Sequence, residues 1–438
     1  MGFFDKLFKK KEDAAAPAPK AEPKAEPAST KASFKAEAPA AKPAEKKEEP
    51  KAAPAGGNPA PDAFIVPPVK TAEDNSVPKD AILPAADLGA LLPGAPPGGK
   101  IKLAVYWAAA CGGCDVSLLD THERLLTVGD MADIVMWPIA ADGKEKDIAA
   151  MDDGEITVSI ISGAIRNSEN EHMVKLLRQK STIVVSYGTC ACFGGSPALA
   201  NLCDGAADIL DYVYTKTPSS ASFQETYHKD KAVIPQTSYQ APEGELTIPT
   251  LYDTVKTLDQ VIDVDYFVPG CPPLPETISQ MLKAVEDFAY KGVALPPKGT
   301  TIGVTTRTLC EECPRHKENA RITKICEPHE VDIKEGVCLM DQGILCLGPA
   351  TIGGCGARCT RVGQPCRGCY GPSPDVQEQG ASMFTAVASL FPVLEEDPTC
   401  GEDDIIKIMS QIKDPLGYFY AYTLGKSLIK RAVKEGGQ

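Results

Sequence analysis

The sequence predicts an α/β protein: a doubly wound parallel sheet, then an irregular cysteine-rich segment, then C-terminal helices. Two observations carry this prediction. Short apolar runs alternate with stretches of helical periodicity in the middle of the 438-residue chain. The chain also has 16 Cys, and most of them are separated by only two to eight residues, as metal ligands often are. A chain of this length can bury a substantial core without disulfides.

The strands are predicted from continuous apolar runs: IKLAVYW, ADIVMWP, ITVSIIS, STIVVSYG and VIDVDYFVPG. Helical stretches separate them, at Asp115–Leu126, Glu169–Gln179 and Pro275–Tyr290. Strands that are apolar throughout, rather than alternately, are typical of a parallel sheet covered on both faces. We therefore expect an α/β domain over residues 101–297.

The N-terminal part has a different composition. Residues 1–61 consist mostly of Ala, Pro, Lys and Glu. We expect them to be disordered, because they cannot bury enough apolar surface to offset chain entropy. Residues 62–100 are rich in Pro and Gly and are predicted to be an irregular connector.

The C-terminal part divides into two predicted regions. Residues 298–375 show little periodicity and many Cys, Gly and Pro, so bound metal should supply much of their folding energy. Residues 376–438 are predicted to contain helices at Gln377–Phe391, Asp403–Ile412 and Gly417–Val433.

Charge and hydropathy exclude two classes of partner. The net charge of −14 argues against nucleic-acid binding, which relies on concentrated Lys and Arg. No apolar run approaches the roughly 18 residues of a membrane span. The N-terminus lacks a signal-peptide pattern, so we expect a cytoplasmic protein, whose cysteines stay reduced and are available to metals.

One group of cysteines follows three different predicted strands. Cys111 and Cys114 come after the first strand, Cys190 after IVVSYG, and Cys271 after YFVPG. The carboxyl ends of parallel strands meet at one edge of a sheet, so four thiolates can converge there and hold a cubane iron–sulfur cluster. The alternative is that Cys190 and Cys271 are ordinary buried thiols, and Cys192 competes with Cys190.

Eight further cysteines lie in the irregular segment. They are Cys310, Cys313, Cys338, Cys346, Cys355, Cys359, Cys366 and Cys369. Four-cysteine zinc sites use the same C-x2-C pairs, but usually two pairs to a site, whereas each group of four here has one. The spacing therefore favours iron–sulfur clusters over zinc.

These motifs resemble a known family. The succession CGGCD, GTC followed by GG, PGCPP and PCRGCYGP resembles the small subunit of NiFe hydrogenases over residues 101–425. The segments CEECPR and HEVDIKEGVCLMDQGILCLGPATIGGCGA are most similar to the methyl-viologen-reducing, heterodisulfide-reductase-linked cytoplasmic group.

The resemblance implies a flavodoxin-like domain and three 4Fe–4S clusters. It implies a proximal cluster on Cys111, Cys114, Cys190 and Cys271, a distal cluster on Cys310, Cys313, Cys338 and Cys346, and a medial cluster on Cys355, Cys359, Cys366 and Cys369. Periplasmic members have His where Cys310 stands and Pro where Cys359 stands, so this chain should hold three complete cubanes. The implied role is electron transfer from the nickel–iron centre of a partner large subunit to a low-potential acceptor or a further redox subunit, such as a flavin or iron–sulfur protein.

Two other functions fit parts of the pattern. One is the cluster-bearing subunit of a quinone reductase, although that family has two adjacent cysteines where Gly112 and Gly113 separate Cys111 from Cys114. The other is a zinc-stabilised interaction module. The remaining cysteines, Cys192, Cys203, Cys326 and Cys400, are predicted to be packing residues, with Cys326 as an alternative distal ligand.

Overall fold

An all-parallel sheet forms the framework of the computed structural model. The structure describes residues 82–83, 94–220, 234–319, 321–391 and 402–429. The predicted disorder of residues 1–61, most of the connector, Cys400 and the end of the last predicted helix lie outside these residues. Every described residue belongs to one compact unit, residues 69–438.

The described strands are β1 (Ile82–Leu83), β2 (Ile101–Trp107), β3 (Ala132–Met136), β4 (Ile156–Ser162), β5 (Ile165–Asn167), β6 (Ser181–Tyr187), β7 (Ser238–Ala241), β8 (Gly244–Thr247), β9 (Leu251–Lys256), β10 (Tyr266–Val268) and β11 (Thr300–Ile302). The main sheet has the order β1–β11–β10–β6–β4–β2–β3, with every neighbouring pair parallel. The five strands β3–β2–β4–β6–β10 have the flavodoxin-like order, which confirms the predicted doubly wound sheet. The pairs β5–β9 and β7–β8 are small antiparallel additions.

The sheet is wider than the sequence predicted. β11 lies beyond residue 297, where the α/β domain was expected to end, and β1 lies inside the predicted irregular connector. Both strands are too short to produce an apolar run, so only their pairing identifies them as strands. The assignment of residues 298–375 to a separate domain stays a prediction.

The core lies on both faces of the sheet. Leu103 and Val105 of β2 pack into one apolar cluster, whereas Ala104 and Tyr106 pack into the other. Because successive side chains of a strand point to opposite faces, β2 must be apolar throughout to fill both clusters.

The described helices are α1 (Gly113–Leu119), α2 (Arg124–Met131), α3 (Glu145–Ala149), α4 (Ser168–Lys180), α5 (Thr189–Phe193), α6 (Ala206–Asp211), α7 (Pro275–Lys291), α8 (Leu309–Glu312), α9 (Arg358–Arg361), α10 (Gln379–Ala388), α11 (Glu402–Met409) and α12 (Pro415–Phe419). None of these described helices has the length and apolar character needed to cross a membrane.

Two predicted helices were wrong in extent. The stretch Asp115–Leu126 is divided into α1 and α2, because the chain turns between them and His122 adopts a left-handed φ of 53°. The stretch predicted as Gly417–Val433 is not one helix over its described residues: α12 ends at Phe419, and a short 3-10 turn covers Leu424–Lys426. Gln260 Nε2 donates to the Gly425 carbonyl at 2.9 Å, which fixes this turn against the sheet domain.

Candidate metal centres

The structure brings Cys111, Cys114, Cys190 and Cys271 together at the carboxyl edge of the sheet. Cys111 follows β2, Cys190 lies in α5 directly after β6, and Cys271 follows β10. Burial, followed by the neighbouring charges of Cys271 and Cys111, raises the pKa of Cys190 to about 12. Burial also raises the pKa of Cys114, and Cys190 and Cys271 add to this effect. Thiolates this close repel one another, so the site favours a cationic occupant.

Glycines leave room for the sulfurs of this site. A Cβ on Gly188 would lie 2.3 Å from Cys114 Sγ, and a Cβ on Gly195 would lie 2.6 Å from Cys190 Sγ. Both glycines have positive φ, at 82° and 54°, which favours glycine independently of the space. The backbone is thus shaped around the sulfur atoms.

A buried carboxylate next to Cys114 was not singled out from the sequence. Asp115 is 1% exposed, and it accepts hydrogen bonds from Trp137 Nε1 and Ser162 Oγ, both at 3.1 Å. Burial raises the pKa of this carboxyl. Its position directly after CGGC was the only available signal, since neither partner is near it in sequence.

A second group joins Cys310 and Cys313 of the α8 turn to Cys338 and Cys346. Burial raises the pKa of Cys310 to about 12, with further contributions from Cys346, Cys338 and Cys313. Burial raises the pKa of Cys346 to about 11, although backbone N–H groups of Gly348 and Cys366 oppose the shift. A Cβ on Gly348 would lie 2.9 Å from Cys310 Sγ, so this site also depends on a glycine for space.

A third group contains Cys355, Cys359, Cys366 and Cys369. Burial raises the pKa of Cys369 to about 12, followed by the charges of Cys355, Cys271 and Cys359. Burial likewise raises the pKa of Cys366, followed by the charge of Cys346 in the second group and then by that of Cys369. Thus Cys369 neighbours both its own group and Cys271 of the first group.

Contacts between neighbouring cysteines connect the three groups. The charge and the backbone of Cys271 act on the Cys369 thiol, and the N–H of Cys366 donates to Cys346 Sγ at 3.2 Å. Thr189, beside Cys190, also donates its hydroxyl to the Cys369 carbonyl at 2.5 Å. The third group therefore lies between the first and the second.

The other described cysteines have different surroundings. Cys192 is fully buried, and its Sγ lies 3.4 Å from both the hydroxyl and the carbonyl of Ser186. The Cys326 N–H donates to the Gly343 carbonyl at 2.9 Å, and Cys326 lines a cavity of about 180 Å³ together with Arg367 and Tyr418. Cys203 is exposed. The charge of Cys338 contributes to the raised pKa of Cys310. This favours Cys338 over Cys326 as a member of the second group.

The donor sets bear on what the three groups could hold. Each group offers four free thiols, and glycines leave space beside Cys114, Cys190 and Cys310. A 4Fe–4S cluster is held by four cysteine thiolates, so these donor sets fit such a cluster.

Known proteins match this chain over most of its length. The protein-family profile described as "NADH ubiquinone oxidoreductase, 20 Kd subunit" matches residues 111–285. An F420-non-reducing hydrogenase subunit of Methanothermobacter marburgensis is 37% identical over 342 residues, which are 77% of this chain and 99% of that relative. The F420-non-reducing hydrogenase iron-sulfur subunit of Archaeoglobus profundus is 37% identical over 339 residues, covering 76% of this chain and 99% of the relative. A solved NAD+-reducing NiFe-hydrogenase in the H2-reduced state matches with a TM-score of 0.32 and 26% identity, over 45% of this chain and 97% of that one.

Proposed function

Because this chain belongs to the family of NiFe hydrogenase small subunits, in the group of the F420-non-reducing hydrogenases, we propose that it relays electrons within its complex through three 4Fe–4S clusters. It is a subunit of a hydrogenase complex, an oxidoreductase. The relay would run from the nickel–iron centre of a partner large subunit to a low-potential acceptor or a further redox subunit.

The observation that carries the proposal is that neighbouring cysteines connect the three groups. Cys271 lies beside Cys369, whose carbonyl accepts from the Thr189 hydroxyl at 2.5 Å, and Cys366 donates its N–H to the sulfur of Cys346 at 3.2 Å. Redox sites held in this way would be separated by short stretches of protein. Such a series suits one-electron transfer, which is the chemistry that bound 4Fe–4S clusters supply.

The ligands would be divided as the resemblance implies. A proximal cluster would be held by Cys111, Cys114, Cys190 and Cys271, a medial cluster by Cys355, Cys359, Cys366 and Cys369, and a distal cluster by Cys310, Cys313, Cys338 and Cys346. N–H donors to Cys111, Cys346 and Cys366, one in each group, stabilise the negative charge of the sulfurs and so help to tune each site.

The expected partner is a large subunit, because the cysteine pairs of this chain are already assigned. Every C-x2-C pair of this chain is used in the three groups, so the nickel–iron centre would belong to a separate large subunit. Cys111 and Cys271 are exposed at the carboxyl edge of the sheet, which suits a proximal site that faces that subunit. The reduced thiols required by all three groups support a cytoplasmic location. A flavin or iron–sulfur protein is the expected further partner.

A quinone-reductase subunit is the second candidate, because the matching family profile carries that description over residues 111–285. The profile leaves out the segment that contains Cys310 to Cys369. The relatives that match residues across nearly their whole length are hydrogenase subunits, which favours the first proposal.

Metal analysis of the complex tests the proposal directly. The complex is purified anaerobically, and iron, acid-labile sulfide and zinc are measured per copy of this chain. Three cubanes predict about twelve irons and as many sulfides in this subunit, after the iron and sulfide of every other subunit of the complex are subtracted. Zinc without sulfide would instead identify the interaction module.

A cysteine variant then tests the assignment of the proximal site. Cys111→Ala should lose the proximal cluster and stop hydrogen-dependent reduction of every acceptor. Cys203→Ala removes an exposed thiol outside the three groups and is the matched control. Full activity of the Cys111 variant would exclude the proximal assignment.

A further inference from the structure

Glu312 connects two of the cysteine groups through its side chain. It lies in the turn between Cys310 and Cys313, at the end of α8. Its carboxylate accepts a hydrogen bond from the Gly354 N–H at 2.6 Å and another from the Gly356 N–H at 2.9 Å. These two glycines flank Cys355 in the chain. The Glu312 carboxylate, which lies between two cysteines of the second group, thus binds the residues on both sides of Cys355 in the third group.

The loop around Cys355 is shaped to receive this carboxylate. Gly354 and Gly356 have φ values of 124° and 64°, which favour glycine and direct both N–H groups to Glu312. A Cβ on Gly353 would lie 2.6 Å from Glu312 Oε1, so the neighbouring position also needs glycine. A side chain at any of the three positions would disturb this contact.

Arg361 holds the same loop from the other side. Its Nε donates to the Gly356 carbonyl at 2.7 Å. Burial raises the pKa of Glu312, but the two glycine N–H groups and the positive charge of Arg361 oppose this shift and favour the ionised carboxylate. Gly356 is therefore bound at its N–H by a carboxylate and at its C=O by a guanidinium. Hydrogen bonds that involve an ionised partner are roughly twice as strong as neutral ones, so this arrangement helps to fix the loop, in which Cys355 also packs against a small apolar cluster.

We propose that Glu312 is a positioning residue that fixes Cys355 relative to the Cys310–Cys313 turn and whose negative charge lowers the reduction potentials of the clusters on both sides. This inference rests on the proposed function, because it concerns ligands of the medial and distal sites. A negative charge beside a cluster disfavours the reduced form, so its removal raises the potential.

Two substitutions in the intact hydrogenase complex separate position from charge. Glu312→Gln keeps the side-chain length but replaces one acceptor oxygen by a donor NH2 group, which opposes one of the two glycine N–H groups. Glu312→Ala removes both acceptors. Glu311→Gln is the matched control, since Glu311 occupies the same turn, is exposed, and bonds to Thr308 N at 3.1 Å rather than to the glycine loop.

The measurements are iron content and a redox titration monitored by electron paramagnetic resonance. Glu312→Ala should lose about four irons, the content of one cubane, through failure of the medial site. Glu312→Gln should retain most of its iron while the potentials of the medial and distal signals rise and that of the proximal signal stays unchanged. Glu311→Gln should match the unmodified complex in both measurements.

Unchanged iron and unchanged potentials in both Glu312 variants would overturn the inference while leaving the proposed function intact. The inference would also be overturned if Glu312→Gln and Glu311→Gln raised the potentials of the medial and distal signals by the same amount. If this subunit of the unmodified complex contains far fewer than about twelve irons and as many sulfides, the proposed function fails independently of Glu312.

Discussion

The sheet domain and the cysteine-rich segment obtain their order in different ways. The sheet is covered by two apolar clusters, one on each face, which include Val105, Ile160, Ile161 and Val184. Residues 303–372 hold one small apolar cluster among their described residues, formed by Val304, Ile352 and Tyr370, and bury further apolar side chains outside it, such as Leu339, Ile344 and Leu347. Hydrogen bonds to sulfur and to Glu312 also hold this segment. A core of apolar side chains can form before any metal binds. Buried thiolates that repel one another, in contrast, need a bound metal to hold them together.

Removal of iron should show the largest difference between the two regions. We expect anaerobic chelation to reduce hydrogen-exchange protection in residues 303–372 by roughly a hundredfold or more, because bound metal supplies much of their folding energy. Amides of β2, β4 and β6 should change little. Hydrogen exchange read by mass spectrometry measures both regions in one sample. Simultaneous loss of protection in β4 would mean that the two regions fold as one unit.

Gly188→Ala should damage the first metal site without changing a cysteine. Its new Cβ would lie 2.3 Å from Cys114 Sγ, at a φ of 82°. We expect a loss of about four irons, measured by iron analysis and by disappearance of the proximal signal. Gly244→Ala is the control: its φ is 142°, but no atom lies within 4 Å of the added Cβ. Equal iron loss in both variants would point to backbone strain rather than contact with the sulfur.

Ile161→Ala tests the apolar half of the comparison. Ile161 is 0% exposed in the centre of the sheet, so its truncation should lower the free energy of unfolding by about 3 kcal/mol. The same change at Ile139, which is 44% exposed, should cost less than about 0.5 kcal/mol. Urea unfolding followed by circular dichroism measures both. A small effect at Ile161 would show that metal sites, rather than the core, determine the stability of the sheet.

Acid should weaken the sheet domain through Asp265. Its carboxylate accepts from Arg178 Nη1 at 2.7 Å and pairs with Lys298 Nζ at 2.5 Å. Burial alone raises the pKa of Asp265, but the hydrogen bonds from Lys298 and Arg178 outweigh it and the pKa is lowered. The stabilisation is therefore present above the ordinary Asp pKa of about 3.9 and is lost as pH falls through the lower folded value.

Asp265→Asn should remove this pH dependence. We expect it to lower the free energy of unfolding by about 2 kcal/mol at neutral pH, with a smaller difference from the unmodified chain as the pH falls below about 4. Urea unfolding between acidic and neutral pH gives the comparison. A constant difference across this range would show that the charge of Asp265 contributes nothing.

Deletion of residues 1–60 should have the smallest effect. This segment contains none of the twelve grouped cysteines. Iron content and hydrogen-dependent activity of the shortened complex should equal those of the full chain. Loss of iron would assign the segment a structural role and would oppose the predicted disorder.

Most of the sheet, and the meeting of four cysteines at the ends of its strands, could be predicted because their signals are local, whereas the assignment of the twelve cysteines to three clusters stays a prediction. Continuous apolar runs indicated β2, β4 and β6, and the thiols at their ends indicated the first group. Glu312, Asp115 and the short strands β1 and β11 were missed. Their partners lie far away in sequence: the Glu312 carboxylate, for example, binds N–H groups about forty residues further along the chain.

The sequence by itself determined which residues are apolar, where the glycines stand and which cysteines follow each strand. The family resemblance implied a medial place for the third cysteine group, but only the tertiary structure decided which residues meet there, with Cys271 beside Cys369 and Cys366 beside Cys346. Strand patterns arise from side-chain alternation over a few residues, whereas the contact of two loops depends on how the whole chain closes around its core.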